Sequence, residues 1–246
     1  MNVINIEFLS EVLNSRKKLN ILMPEFSELK QNEKLPIIYC LHGLTGNCDD
    51  WLISGGAKEI FKNYRFIAVF PSADNSFYCN MKNGYKYFDY IAYEIPKYVE
   101  SLFPADTSKR YIAGLSMGGY GALKIALSNP ERYKAAASFS GVLDIASLSG
   151  RMKEEDIRSA LVPCFGEEMV VPDNSDLFKL AKNKNMDIPI YVSCGTEDLL
   201  YEQSAKFVEG NSQLKIKFIS EPGDHEWKLW NLNLARFMEE INKSLV

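Results

Sequence analysis

Short runs of apolar, often β-branched residues alternate along the chain with longer stretches that mix apolar and polar positions. The runs are nearly all apolar, which is typical of strands covered by helices on both faces of a parallel sheet. They predict strands at Ile37–Leu41, Phe66–Phe70, Arg110–Ala113, Ala135–Ser140, Ile190–Cys194 and Ile216–Ser220. Their alternation with helical patterns predicts an α/β fold with a mostly parallel central sheet and helices on both faces.

Two segments near the start, Val3–Leu9 and Lys17–Met23, have the pattern of an antiparallel pair at the edge of that sheet. The mixed stretches predict helices at Ala57–Asn63, Asp89–Leu102, Met117–Ser128, Ser204–Glu209 and Lys228–Lys243. Pro96 falls inside the second of these helices. Because proline has no backbone N–H, we expect a kink there.

The region Gly150–Asn185 interrupts the alternation with mixed charges, Pro163, Pro172 and scattered apolar residues. We interpret it as a small helical insertion that packs over one end of the sheet. Its role stays open between a cap or lid and extra surface helices that have no function. No repeat or long linker divides the chain, so we expect a single domain over residues 1–246.

The composition and charge of the chain limit the kinds of binding partner that we expect. The 246 residues carry a net charge of −4, and 46% of them are hydrophobic, an ordinary balance for a globular protein. No basic stripe interleaved with aromatics indicates nucleic acid. No apolar run approaches the roughly 20 residues that cross a bilayer, and the first residues lack the features of a signal peptide. We therefore expect a cytoplasmic protein with neither a nucleic-acid nor a membrane partner.

The five cysteines predict neither a disulfide framework nor a metal site, because their number is odd and no two have Cys-x-x-Cys spacing. Cys40 and Cys194 fall in strand-like runs, where cysteine behaves as a small buried hydrophobe. No cysteine stands in a motif that would activate it as a nucleophile.

The segment Gly114-Leu115-Ser116-Met117-Gly118 fits the pattern Gly-x-Ser-x-Gly. An apolar strand ends just before it and a helix begins just after it, which is the setting of a nucleophile elbow. Such a turn holds the serine in a strained conformation with its oxygen above the sheet, and the helix dipole favours negative charge there. These features predict Ser116 as a nucleophile, with a chance match to five residues as the competing interpretation.

The chain has only two histidines, His42 and His225. In a catalytic triad whose serine lies on a nucleophile elbow, the chain order is serine, acid, histidine. That order selects His225 as the base for Ser116. Asp198 follows a predicted strand and is the preferred carboxylate to orient the imidazole. Asp144 stays open as another acid, and a surface-loop role stays open for the histidine.

An oxyanion hole is predicted from two backbone N–H groups, those of Met117 and Leu44, on the turns after two strands. His42 is interpreted as a residue that orients the second turn, and it is also a candidate for the substrate pocket. Trp51 and Trp227 are aromatic candidates for the pocket wall. Ordinary core packing is equally open for these two tryptophans.

Taken together, these residues resemble the bacterial tributyrin-esterase branch of the putative-esterase family of α/β-hydrolases. The resemblance covers nearly the whole chain and rests on six segments: His42-Gly43-Leu44, Asn47–Trp51, Gly114–Gly121, Ser138–Gly141, Gly195–Asp198 and Asp224–Trp227. It implies an α/β-hydrolase fold, the same triad, and hydrolysis of short-chain acyl esters of tributyrin or acetyl type through an acyl-enzyme. It also implies that no cofactor and no metal take part.

The resemblance leaves the natural substrate open. The family also contains feruloyl and acetylxylan esterases and S-formylglutathione hydrolases, so each of these activities is an alternative. Its members often self-associate, which implies a homo-oligomer acting on a small-molecule ester. A non-catalytic binding protein on a hydrolase fold is the alternative of another class, and it is disfavoured because all three triad positions are filled.

Overall fold

A computed structural model describes residues 1–151, 153–182 and 187–245. Its centre is an eight-stranded sheet with the order β1-β2-β4-β3-β5-β6-β7-β8. The pairings from β4 to β8 are parallel, whereas β2 runs antiparallel to both of its neighbours. This confirms the mostly parallel sheet and its antiparallel edge pair. The strands are β1 (Asn2–Ser10), β2 (Ser15–Met23), β3 (Leu35–Leu41), β4 (Ile67–Pro71), β5 (Ala105–Leu115), β6 (Ala135–Phe139), β7 (Ile190–Gly195) and β8 (Ile216–Glu221).

Helices cover both faces of the sheet, as predicted. They are α1 (Asp50–Ile53), α2 (Ala57–Phe61), α3 (Tyr87–Asp89), α4 (Ile95–Leu102), α5 (Met117–Ser128), α6 (Glu155–Phe165), α7 (Leu177–Leu180), α8 (Tyr201–Glu209) and α9 (Trp227–Lys243). One apolar cluster joins the sheet to α4 and α5, and a second joins the other face to α1, α2 and α9. Over the three described ranges, no helix combines the length and apolarity needed to cross a membrane.

Strand β3 shows why the predicted strands are continuous apolar runs. All seven of its residues are buried. Successive side chains point to opposite faces, so Ile37 and Tyr39 enter the first cluster while Ile38 and Cys40 enter the second. A strand covered on both faces has no position for an exposed polar side chain.

Pro96 divides the predicted helix Asp89–Leu102. A wider π-helical turn, Tyr90–Glu94, separates α3 from α4, and Pro96 lies in the first turn of α4. The Ala92 carbonyl, four residues earlier, cannot accept an N–H from proline. It accepts a hydrogen bond from the Arg132 guanidinium at 2.6 Å instead.

The predicted insertion at 150–185 contains α6, a 3₁₀ turn at Asp173–Ser175 and α7. Its positions 152 and 183–185 lie outside the described residues. The part from Asp173 to α7 packs on α5 rather than over the end of the sheet. Among the described residues of this region, only Arg151, Asp156 and Ile157 line the pocket that carries the site, together with Leu148 of the overlapping 3₁₀ turn Ile145–Arg151.

A buried ion pair fastens α4 to β5. The Arg110 guanidinium donates two hydrogen bonds to the Glu100 carboxylate, both of 2.7 Å, and these side chains are 10% and 11% exposed. The Tyr39 hydroxyl also donates to Glu100, at 2.9 Å. Each charge is therefore both paired and hydrogen-bonded, as burial requires.

We expect Arg110→Ala to lower the free energy of unfolding by about 3–5 kcal/mol, because Glu100 would be left as a buried charge without its partner. Lys243→Ala is the matched control, since it removes an exposed pair with Glu239, and it should leave that free energy nearly unchanged. Urea denaturation measures both. Equal, small losses would contradict the structural role of the buried pair.

Candidate active site

Ser116 occupies the turn between β5 and α5 with a strained backbone, φ 53° and ψ −120°. A positive φ is uncommon for a residue other than glycine and persists only where the surroundings enforce it. Here the Ser116 N–H donates to the Phe139 carbonyl at 2.9 Å, while the Ser116 carbonyl accepts from Gly119 at 3.0 Å and Tyr120 at 3.2 Å. These backbone bonds hold the serine in the conformation that the motif predicts.

The two glycines of the motif are required by close backbone contacts. A Cβ atom on Gly114 would lie 2.1 Å from the Gly118 carbonyl oxygen. One on Gly118 would lie 2.4 Å from the Leu41 carbonyl oxygen and 2.6 Å from that of His42. Any side chain at either position would push the start of α5 away from β3 and β5.

Ser116, His225 and Asp198 form one hydrogen-bonded chain. The His225 Nε2 atom lies 3.0 Å from Ser116 Oγ, and its Nδ1 atom lies 2.9 Å from Asp198 Oδ2. The Asp198 side chain is fully buried, whereas that of His225 is 27% exposed. The other Asp198 oxygen accepts the Leu200 N–H at 2.8 Å. The base therefore keeps access to solvent while the acid does not.

The charge state of Asp198 sets the imidazole tautomer. Burial opposes ionisation, but the hydrogen bonds from His225 and from the Leu200 N–H outweigh it and hold the pKa of Asp198 below its ordinary value. An ionised carboxylate can only accept, so Nδ1 of the histidine donates and Nε2 is left to accept the Ser116 proton. The other candidate acid, Asp144, pairs with Lys206 at 2.7 Å instead.

The loops after β7 and β8 are joined to each other, which positions the base against the acid. The Thr196 N–H donates to the Glu221 carbonyl at 2.9 Å, and the Glu197 N–H donates to the Gly223 carbonyl at 3.0 Å. In return, the Glu197 carboxylate accepts the Gly223 N–H, two residues before His225. The positioning role of Glu197 was not predicted, although its place beside Asp198 was the available signal.

The N–H groups of Met117 and Leu44 border the pocket beside Ser116. Met117 begins α5, where the first N–H groups lack an intrahelical acceptor. Leu44 lies in a turn closed by the Gly46 N–H and the Gly43 carbonyl at 3.2 Å. Throughout the described ranges neither N–H has a hydrogen-bond acceptor. Both can donate to an oxygen bound next to the serine, as an oxyanion hole requires.

His42 supports this turn from the buried side. Its Nδ1 atom donates to the Gly43 carbonyl at 2.7 Å, its Nε2 atom accepts the Ala73 N–H at 2.9 Å, and its own carbonyl accepts the Tyr78 hydroxyl at 2.9 Å. Burial lowers the pKa of His42, which keeps the ring neutral as this bonding pattern needs. The side chain does not line the pocket, so the prediction that His42 forms part of the pocket wall is corrected. It orients the turn from behind that wall instead.

A pocket of about 420 Å³ opens over Ser116. Apolar side chains from several loops form most of its wall, and three charged residues contribute to it. Its lining comprises Gly43, Leu44, Thr45, Asp50, Phe77, Leu115, Ser116, Met117, Val142, Leu148, Arg151, Asp156, Ile157, Leu199, Leu200, His225, Trp227 and Trp230. The contributions from 148 to 157 were not predicted residue by residue, because that region has no clear periodicity.

The tryptophans divide between wall and core. Trp227 lines the pocket as predicted, whereas Trp51 is 1% exposed and donates its indole N–H to the Leu41 carbonyl at 3.2 Å. Trp51 meets Trp227 edge-on from behind, with ring centroids 5.3 Å apart, so its place is corrected to the core. Trp230 was not predicted as a pocket residue. It lines the pocket and packs edge-on against the His225 ring, with ring centroids 4.9 Å apart. Its helical i+3 spacing from Trp227 was the signal.

Comparison with known proteins agrees with this geometry. The family model described as "Putative esterase" matches residues 10–241. An acetyl esterase of Caldicellulosiruptor saccharolyticus is 29% identical over 265 residues, covering 99% of each chain. The fluorophosphonate-binding serine hydrolase F of Staphylococcus aureus is similar with a TM-score of 0.89, 25% identity and 98% of each chain covered. An S-formylglutathione hydrolase from Staphylococcus aureus follows with a TM-score of 0.86, 24% identity and 98% of each chain covered.

We expect Glu197→Ala to lower kcat/KM for an ester about tenfold, because a base whose loop is held less firmly spends less time in the reactive geometry. Glu131→Ala, at an exposed acid distant in sequence from both loops, serves as control and should leave the rate unchanged. Steady-state kinetics with a nitrophenyl ester measure both variants. Wild-type kinetics for Glu197→Ala would exclude a positioning role.

Proposed function

The chain belongs to the esterase family described as "Putative esterase" and is a serine esterase, and we propose that it is a short-chain carboxylesterase whose triad is Ser116, His225 and Asp198. The observation that carries this proposal is the hydrogen-bonded chain from Ser116 Oγ through His225 to Asp198, at the floor of a pocket. The two N–H groups of Met117 and Leu44 beside the serine are its proposed oxyanion hole.

The proposed reaction is a two-step acyl transfer. His225 Nε2 takes the Ser116 proton while Oγ attacks the ester carbonyl, and the oxyanion accepts hydrogen bonds from Met117 and Leu44. The imidazolium, stabilised by Asp198, then protonates the departing alcohol. Water activated by the same histidine releases the acid and restores the serine.

The size and chemistry of the pocket support a small acyl group. Its volume of about 420 Å³ is near the lower end of the range for ligand sites. Leu115, Val142, Leu200 and Trp230 surround the serine with apolar surface. The name acetyl esterase of the similar Caldicellulosiruptor protein also supports a short acyl chain.

The charges of the wall favour an uncharged ester over a glutathione thioester. Asp50 and Asp156 line the pocket, and the Arg151 guanidinium on the same wall is already paired with Glu154 at 2.7 Å. Glutathione carries two carboxylates and a net negative charge at neutral pH, so these aspartates would repel it. Feruloyl and acetylxylan esters carry no such charge, and only direct rate measurements separate them from simple esters.

We propose further that the chain is one α/β-hydrolase domain in which 150–185 is a cap-like insertion. Arg151, Asp156 and Ile157 from its first part line the pocket, which supports a role in substrate contact. The part from Asp173 to α7 packs on α5 and supports a structural role instead.

Ser116→Ala is expected to lower kcat by about 10⁴–10⁶, because no other group supplies the nucleophile. Asp198→Asn is expected to lower kcat by about 10⁴, because an amide favours the wrong imidazole tautomer. Ser128→Ala, at the exposed end of α5, is the control and should keep full activity. Nitrophenyl acetate hydrolysis and labelling by a serine-directed phosphonate measure the set. Substantial turnover in Ser116→Ala would refute the assignment.

A series of nitrophenyl esters tests the substrate class. We expect kcat/KM to be highest for acetyl to butyryl esters and to fall steeply for octanoyl and dodecanoyl esters, because long chains exceed the enclosed volume. A feruloyl ester and S-formylglutathione, assayed side by side, should react more slowly than the acetyl ester. A preference for S-formylglutathione would replace the carboxylesterase proposal while leaving the triad intact.

A further inference from the structure

A lysine is buried in the core away from the ester pocket. Lys124, on α5, is 2% exposed. Its ammonium donates to Cys79 Sγ at 2.9 Å and to Ser175 Oγ at 3.0 Å, and it lies 5.3 Å from the centre of the Phe88 ring. Among the residues that the structure describes, no carboxylate lies within salt-bridge distance of this ammonium.

A buried ammonium needs a counter-charge, because removal from water strongly disfavours an unpaired ion. Cys79 is the acidic group in hydrogen-bonding contact with Lys124. Burial alone would raise the pKa of the Cys79 thiol, but Cys164 and the charge of Lys124 outweigh burial and lower it. The ammonium of Lys124 donates to Cys79 Sγ, and this contact favours the thiolate, which is the reactive form of cysteine.

A second cavity lies against the Lys124 side of this pair. It has a volume of about 310 Å³ and shares no lining residue with the ester pocket. Lys124, Cys164 and Ser175 form one part of its wall, with Phe88 nearby. Since a water molecule occupies about 30 Å³ of liquid, the cavity has room for a small peroxide beside Lys124 and Cys164.

We propose that Cys79 is a modification site for small hydroperoxides, and that the nitrogen of Lys124 captures the oxidised sulfur as a covalent nitrogen–sulfur bond. The site is separate from the ester chemistry. It depends on the Nζ–Sγ contact of 2.9 Å and on the cavity that Lys124 lines.

In the first step the Cys79 thiolate attacks one oxygen of hydrogen peroxide. A sulfur–oxygen bond forms, the oxygen–oxygen bond breaks, and the departing hydroxide takes a proton from the Lys124 ammonium to leave as water. The sulfur is oxidised to a sulfenic acid and the peroxide is reduced.

In the second step the neutral Lys124 nitrogen attacks the sulfenic sulfur. A nitrogen–sulfur bond forms, the sulfur–oxygen bond breaks, and the hydroxyl leaves with the nitrogen's proton as water. Condensation of a sulfenic acid with a nitrogen is known sulfur chemistry, and a thiol reductant reverses it. The balance over both steps is one peroxide consumed, two waters released and two hydrogens lost from the protein.

The test treats the full-length protein with hydrogen peroxide, blocks the remaining thiols, and analyses intact mass and peptides. We expect one peptide pair that joins positions 79 and 124, lighter by about 2 Da than the two separate peptides, and its release by dithiothreitol. Cys79→Ser and Lys124→Met should abolish the link. Cys164→Ser should keep it, because the thiol at 164 is not the trapping group.

Three outcomes would overturn the proposal: a disulfide between Cys79 and Cys164, a gain of oxygen at Cys79 without any link, or an unmodified Cys79 under conditions that oxidise a control thiol. Phosphonate labelling of Ser116 reports whether each variant is folded. If Lys124→Met does not fold, the peptide map of the wild-type protein still distinguishes these outcomes from the expected one.

Discussion

The close approach of α5 to the end of β3 is the constraint on which the site depends. Gly118 lies directly against the carbonyl oxygens of Leu41 and His42, with no room for a side chain. This contact brings the turn that carries Ser116 next to the turn that carries Leu44. The neutral His42 ring, bonded to two backbone groups, then keeps the second turn in place. The proposed nucleophile and oxyanion donors are thus parts of one packed unit.

The base and the acid come from a second unit at the adjoining part of the sheet. In the register of β7 and β8, Gly195 lies opposite Glu221, so the two loops leave the sheet side by side. Backbone bonds between them, with the Glu197 carboxylate, set the approach of His225 to Asp198. The serine joins the two units through a single hydrogen bond to the imidazole.

Much of this arrangement could be predicted because it is encoded locally or by chain order. Strands buried on both faces, such as β3, are visible as apolar runs, and the turn around Ser116 has a fixed sequence pattern. Chain order then selected the acid and base that the structure brings together. The orientation of Trp51 and the bonding of His42 could not be predicted, because neighbours distant in sequence decide them. The same holds for the pair of Lys124 and Cys79, which are separated in sequence by α3, α4 and β5.

The contact at Gly118 also separates the geometry of the reacting groups from the choice of ester, two properties that proteins of this kind could vary. Uncharged backbone groups meet there in van der Waals contact. Changes of salt or pH therefore leave the spacing of the proposed nucleophile and oxyanion donors unaltered. Leu148, Arg151, Asp156 and Ile157, by contrast, line the pocket from elements outside the sheet and α5. Substitutions there can change which ester fits without moving a reacting atom, so substrate choice can diverge among descendants while the rate-enhancing geometry is inherited intact.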